Sequence, residues 1–153
     1  MSSSDHSQRE AEETGELPWR AVHELVGTVL AEAESRGLRV AVALTDRWGR
    51  RLAFQRRPGT MVVSSDVAPA KALTAWSFDT PTSVLVETIS RHDQQEVSRV
   101  SQGLVFAGGG FPIRSAGFLL GGIGVSGATS EEDAELALHA LAAGGFDTAF
   151  DAA

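Results

Sequence analysis

Between Ala107 and Gly127 the sequence AGGGFPIRSAGFLLGGIGVSG sets eight glycines around two short apolar runs. Glycine is the costliest residue to order, so a segment that keeps so many is shaping a surface rather than filling a loop. The absent side chains let backbone approach a ligand or another strand closely. Leu104 to Ala107, Phe111 to Ser115 and Phe118 to Val125 read as three strands, the last two joined across Ala116 and Gly117.

The rest of the chain supplies helices and a second hairpin. From Trp19 to Arg36, Val22, Leu25, Val26, Val29, Leu30 and Ala33 recur at helical spacing, and Gly37 ends the run. Val40, Val42 and Leu44 alternate with small residues, and DRWG turns the chain into Arg51 to Arg57, which predicts a hairpin. Ser64, Ser65 and Asp66 offer capping oxygens to a helix that starts near Asp66, takes Pro69 in its first turn and runs to about Phe78. Residues 81–102 read as one or two helices. A last helix follows Ser130, which with Asp133 resembles a capping box, and it buries Ala134, Ala137, Leu138 and Leu141. The order α-ββ-α-α-βββ-α has hairpin-connected strands, so the expected class is α+β with an antiparallel sheet packed by helices.

Composition narrows the chemistry. The 153 residues suffice for one domain with its own core. Residues 1–17 are polar and acidic and are expected to be disordered; 18–146 form the domain, and 147–153 a short C-terminal tail. About half of the net charge of −7 arises in that first segment, where Asp5, Glu10, Glu12, Glu13 and Glu16 oppose only Arg9. No basic stripe remains to neutralise a row of phosphates, so nucleic acid is not an expected partner. With no Cys and no Tyr, disulfides, thiolate chemistry and phenolic catalysis are absent. No run reaches the length of a membrane span, and neither a basic n-region nor an apolar h-region opens the sequence, so a cytoplasmic protein with no membrane partner is expected.

Three features carry candidate chemistry. Gly122, Gly124 and Gly127 spell G-x-G-x-x-G after a strand and before a helix, yet that helix opens with Glu131, Glu132 and Asp133, whose carboxylates repel a pyrophosphate. No nucleotide cofactor is expected. Lys71 is the only lysine, and helical spacing puts it on a face with Val67, Thr74 and Phe78. A buried ammonium suits a base or a Schiff-base amine, and it equally suits a structural ion pair; Asp66, Asp46 and Arg56 are the candidate companions. His23 borders the apolar face of the first helix, whereas His92 and His139 read as solvated. No His/Asp/Glu cluster has the spacing of a zinc site.

The succession AVALTDRWGRRLAFQR, then Gly59, Ser64 and Asp66 leading into AKALTA, then GGGFPI, then GGIGVSG followed by TSEED, resembles the GlcG/HbpS family, also called the haem-degrading or DUF336 family. The match runs in order over roughly residues 33–141. The resemblance implies a profilin-like fold, assembly into homo-oligomers from dimer to octamer, and a pocket at Arg56, Ser64, Asp66, Lys71, Gly109, Gly110, Pro112 and Ser126. Some relatives bind haem or act in iron, haem or cobalamin metabolism. The sequence departs from the family pattern at Pro58, where Asp is usual, and at Ala116, where Asp or Asn is usual.

The first functional reading is a small-molecule binder whose ligand is haem or a related tetrapyrrole. The resemblance implies His23 as the ligand to haem iron and Arg56 or Lys71 as partner to a propionate. The alternative is a cofactor-independent enzyme acting by proton transfer, hydrolysis or isomerisation on a small carbonyl or carboxylate metabolite. There Arg56 holds the carboxylate, Lys71 or Asp66 moves a proton, and the Gly109 and Gly110 amides stabilise an oxyanion. A third reading is an oligomeric accessory protein with a vestigial pocket.

Overall fold

The computed structural model describes residues 2–150, in the order α1 (Ser3–Thr14), α2 (Trp19–Ser35), β1 (Ala41–Thr45), β2 (Arg51–Arg56), α3 (Ser64–Phe78), α4 (Thr82–Thr88), α5 (Arg91–Val100), β3 (Gly110–Ser115), β4 (Phe118–Ser126) and α6 (Ser130–Ala143). The strands form one antiparallel sheet of order β2-β1-β4-β3. This is the expected α+β class.

Strand periodicity assigns the two faces. Val40, Val42 and Leu44 point to one side with Ile113, Ile123 and Val125, and pack there against Leu25 and Val29 of α2 and Leu136 and Leu141 of α6. Ala41 and Ala43 point to the other side and meet Ala68 and Ala72 of α3. Every residue of β1 is buried because both faces are covered.

The glycines explain how α3 fits. A Cβ built on Gly110 would lie 2.5 Å from the Lys71 carbonyl oxygen, and one on Gly124 would lie 2.6 Å from the Ala72 nitrogen and closer still to the Ala68 carbonyl. Gly122 stands in the same relation to the Ala72 carbonyl. The backbone that approaches this segment is therefore a helix resting directly on the sheet, and small residues on both sides permit it.

Several local features differ from the sequence reading. Residues 1–17 were expected to be disordered, but Ser3–Thr14 is a helix with a Ser2/Asp5 capping box and a left-handed Gly15 at its end. Ala11 is fully buried in the main core, and Arg47 donates to the Gly15 carbonyl at 3.2 Å, so α1 is docked at both side and end. Leu104–Ala107 is irregular rather than a strand, and the Val105 N–H donates to the Thr74 hydroxyl at 2.9 Å instead of joining a ladder. α3 begins after Val63 with no side-chain cap, and Pro69 stands beyond the first turn. Of the expected C-terminal tail, 151–153 lie outside the described residues, while Phe150 packs on Phe111 with ring centroids 5.6 Å apart.

The capping box of α6 uses Thr129 and Glu132, one residue before the expected pair. That shift leaves Asp133 free to join the buried stripe of Leu136, Ala137, Ala140 and Leu141. Among the described residues, no helix is long and apolar enough to cross a membrane.

Candidate functional site

Lys71 sits at the centre of α3, 3% exposed, and its stem lies against the sheet. Its Nζ donates to Asp133 Oδ2 at 2.9 Å and to the Val125 carbonyl at 2.9 Å. Asp133, 1% exposed, accepts a further hydrogen bond at Oδ1 from the Ala128 N–H at 3.0 Å. Burial pushes the Asp133 carboxyl above its ordinary value, while the Lys71 charge and the backbone N–H groups of Ala128 and Gly127 pull it back. The pair ties α3, β4 and α6 together. None of the three companions anticipated for Lys71 is its partner.

Gly109 completes the enclosure. Its φ of 123° is open to glycine alone, and a Cβ there would lie 2.9 Å from Lys71 Nζ and 2.7 Å from the Val125 carbonyl. The neighbouring Gly110 N–H donates to Thr82 Oγ1 at 2.9 Å. That amide is already paired, and the Lys71 ammonium is engaged with Asp133 and Val125.

The remaining sequence-derived positions separate into two groups. Ser64 and Ser126 are buried where α3 starts over the end of β4, with hydroxyl oxygens 3.5 Å apart. Register places Arg56, Ala41 and Ser126 in one row across β2, β1 and β4. Arg56 is exposed and donates to the Thr60 carbonyl at 3.0 Å. Pro112 is buried in β3 opposite Gly122. Asp66 is exposed in the first turn of α3, away from Lys71's partners. Asp46 accepts from the Trp48 and Arg50 N–H groups within its own loop, at 2.8 and 2.9 Å.

His23 is exposed on α2, one turn after Trp19, which is 72% exposed. Arg20 lies on the same part of the helix, its guanidinium 5.4 Å from the Trp19 ring centroid. His92 is exposed, and His139 is exposed with Nε2 3.5 Å from Glu32. Among the described residues, no group of three or more His, Asp or Glu side chains is arranged to hold a metal ion.

Two clefts border these elements. One, of about 470 Å³, lies between α4, Phe106–Gly108 and the start of α6, with Val86, Phe106 and Ala134 in its wall. The other, of about 390 Å³, lies between the β1–β2 hairpin and α3.

Asp133 was missed as a site residue because the sequence reading assigned it to a cap. Its phase with Leu136, Ala137 and Ala140 was the available signal, since a carboxylate on a buried helical stripe requires a cation.

These features define a class: an α+β domain in which one helix lies on a glycine-lined sheet face and is locked there by a buried Lys–Asp pair. The family model for the haem-degrading protein HbpS-like matches residues 17–142, and the chain belongs to that family. It is 32% identical over 129 residues to the corrinoid adenosyltransferase PduO of Citrobacter freundii, a match covering 83% of this chain and 38% of that protein. The chain thus spans well under half the length of that relative. Among solved structures, a PduOC:haem complex superposes with a TM-score of 0.82 at 30% identity, covering 88% of this chain and 99% of the other. A doubly substituted HbpS of Streptomyces reticuli superposes with a TM-score of 0.75 at 33% identity, covering 84% and 86%.

Proposed function

We propose that this protein binds haem or a closely related tetrapyrrole. The observation that carries the reading is the likeness, over nearly the whole domain, to a relative whose solved structure is a haem complex. The N-terminal half of α2 fits such a group. His23 offers an imidazole to iron, Trp19 one turn earlier offers a flat apolar surface, and Arg20 offers a guanidinium to a propionate. The bound group would supply iron for ligand binding or electron transfer. The protein's own residues would orient it and balance its carboxylates.

The enzymatic alternative draws less support from the geometry. Lys71 is committed to Asp133 and Val125, and Gly110 donates to Thr82, so neither is free for a substrate without rearrangement. We assign Lys71 and Asp133 to the scaffold, with Ser64 and Ser126 buried beneath the same helix. The assembly into dimers or octamers implied by the resemblance belongs to the same proposal. The close backbone approach that Gly122 and Gly124 permit is taken up within the chain by α3.

Titrating hemin into the protein tests the reading. Saturation near one hemin per chain with a sharpened Soret band is expected; a broad band that grows without saturation, as with free or loosely adsorbed hemin, would defeat it.

A further inference from the structure

The cleft between the β1–β2 hairpin and α3 is separate from the surface assigned to haem, because α2 and α3 cover opposite faces of the sheet. Its volume of about 390 Å³ lies within the range of small-molecule sites. Ala43, Ala70 and Leu73 give it an apolar lining, with Thr45 as a polar neighbour. Two opposite charges line it, Arg51 from the start of β2 and Asp66 from the first turn of α3.

These two charges do not neutralise each other. Among the described residues, neither has an oppositely charged group within 4.0 Å, although both border one cleft. The Arg51 guanidinium lies 5.8 Å from the Phe54 ring centroid, a cation–π contact that holds the side chain on the hairpin.

We propose that this cleft binds a small zwitterionic molecule, its carboxylate on Arg51 and its ammonium on Asp66, with an apolar stem over Ala43, Ala70 and Leu73. A simple anion would satisfy Arg51 but face the Asp66 carboxylate across the cleft. A simple cation would meet Arg51 in the same way. Only a ligand carrying both charges satisfies both walls, and guanidinium–carboxylate pairing gives one end its geometry.

A chain-length series of ω-amino acids, from glycine to 6-aminohexanoate, serves as a ruler in a titration followed by amide chemical shifts of Thr45, Leu73 and Gly103. Saturable shifts should peak at one or two adjacent lengths. Affinity there should exceed that for acetate or methylammonium by about ten-fold or more, the size of one added charge-assisted contact. Arg51→Gln and Asp66→Asn, both at exposed positions, should each lose that advantage while leaving the rest of the spectrum unchanged. Equal binding of acetate by the wild type, undiminished binding of the best ω-amino acid by Asp66→Asn, or no saturable shift with any member would overturn the proposal. Hemin binding is read at another wavelength and on another face, so either proposal can fail alone.

Discussion

Lys71 Nζ and Asp133 Oδ2 lie 2.9 Å apart with both side chains buried, and the two residues, 62 positions apart in sequence, join α3 to α6. Removing one partner leaves the other charge in the interior, which costs far more than the pair contributes. Lys71→Met should therefore lower the unfolding free energy by about 3–5 kcal/mol, whereas Lys71→Met with Asp133→Leu should recover much of the loss. Urea titration of the three proteins checks this. A single variant as stable as wild type would remove the pair from the account.

The same pair predicts a pH dependence. Burial already raises the Asp133 carboxyl, and without the Lys71 charge it rises further. A carboxyl raised on folding contributes stability below its unfolded value of 3.8, and that contribution is lost as pH climbs through the folded pKa. The deficit of Lys71→Met should accordingly be greatest at neutral pH and shrink on acidification toward that lower value. Parallel denaturation curves from pH 7 downward measure it, and a deficit that widened in acid would contradict the assignment.

Glycine substitutions separate contact from propensity. Gly124→Ala drives a methyl into the backbone of α3 and should cost at least about 3 kcal/mol or prevent folding. Gly27, inside α2, has nothing within 4 Å of a built Cβ, so Gly27→Ala should stabilise by about 0.5–1 kcal/mol. Thermal denaturation distinguishes the two.

The β3–β4 turn carries a non-glycine residue in the left-handed region, Ala116 at φ 48°, followed by Gly117 at φ 82°. Asn tolerates that conformation better than Ala, so Ala116→Asn should raise stability by about 0.5–1 kcal/mol without altering the spectrum of folded amides.

Deleting residues 1–14 should destabilise the domain by about 1–3 kcal/mol, since α1 buries Ala11 and covers neighbouring core residues. An unchanged melting temperature would return the segment to the disordered class.

What was legible in the sequence followed from regular patterns. The spacing of Leu25, Val26, Val29 and Ala33 located α2, and the alternation around Val42 located β1 and its buried face. α1 escaped because it docks through Ser7 and Ala11, two small residues that leave no apolar periodicity in an acidic segment. The glycines announced a close backbone approach, but that the approaching backbone is α3 depends on contacts between residues distant in sequence, from Gly110 with Lys71 to Gly124 with Ala68. Lys71 was recognisable as an ammonium in need of a partner. Asp133 was hidden because a competing local explanation, the cap, was available one residue from the true one. Arg51 carried no signal of its own, and only the folded hairpin sets it across a cleft from Asp66.

Side-by-side hemin titrations of the wild type and His23→Ala decide whether α2 carries a haem site. His23 is exposed on α2, so its removal should leave the fold and melting temperature intact. A saturable, sharpened Soret band is expected for the wild type, with loss of the histidine-ligated spectrum in the variant. Identical spectra would remove His23 as the iron ligand, and a wild type that fails to bind hemin at micromolar concentration would contradict haem binding itself.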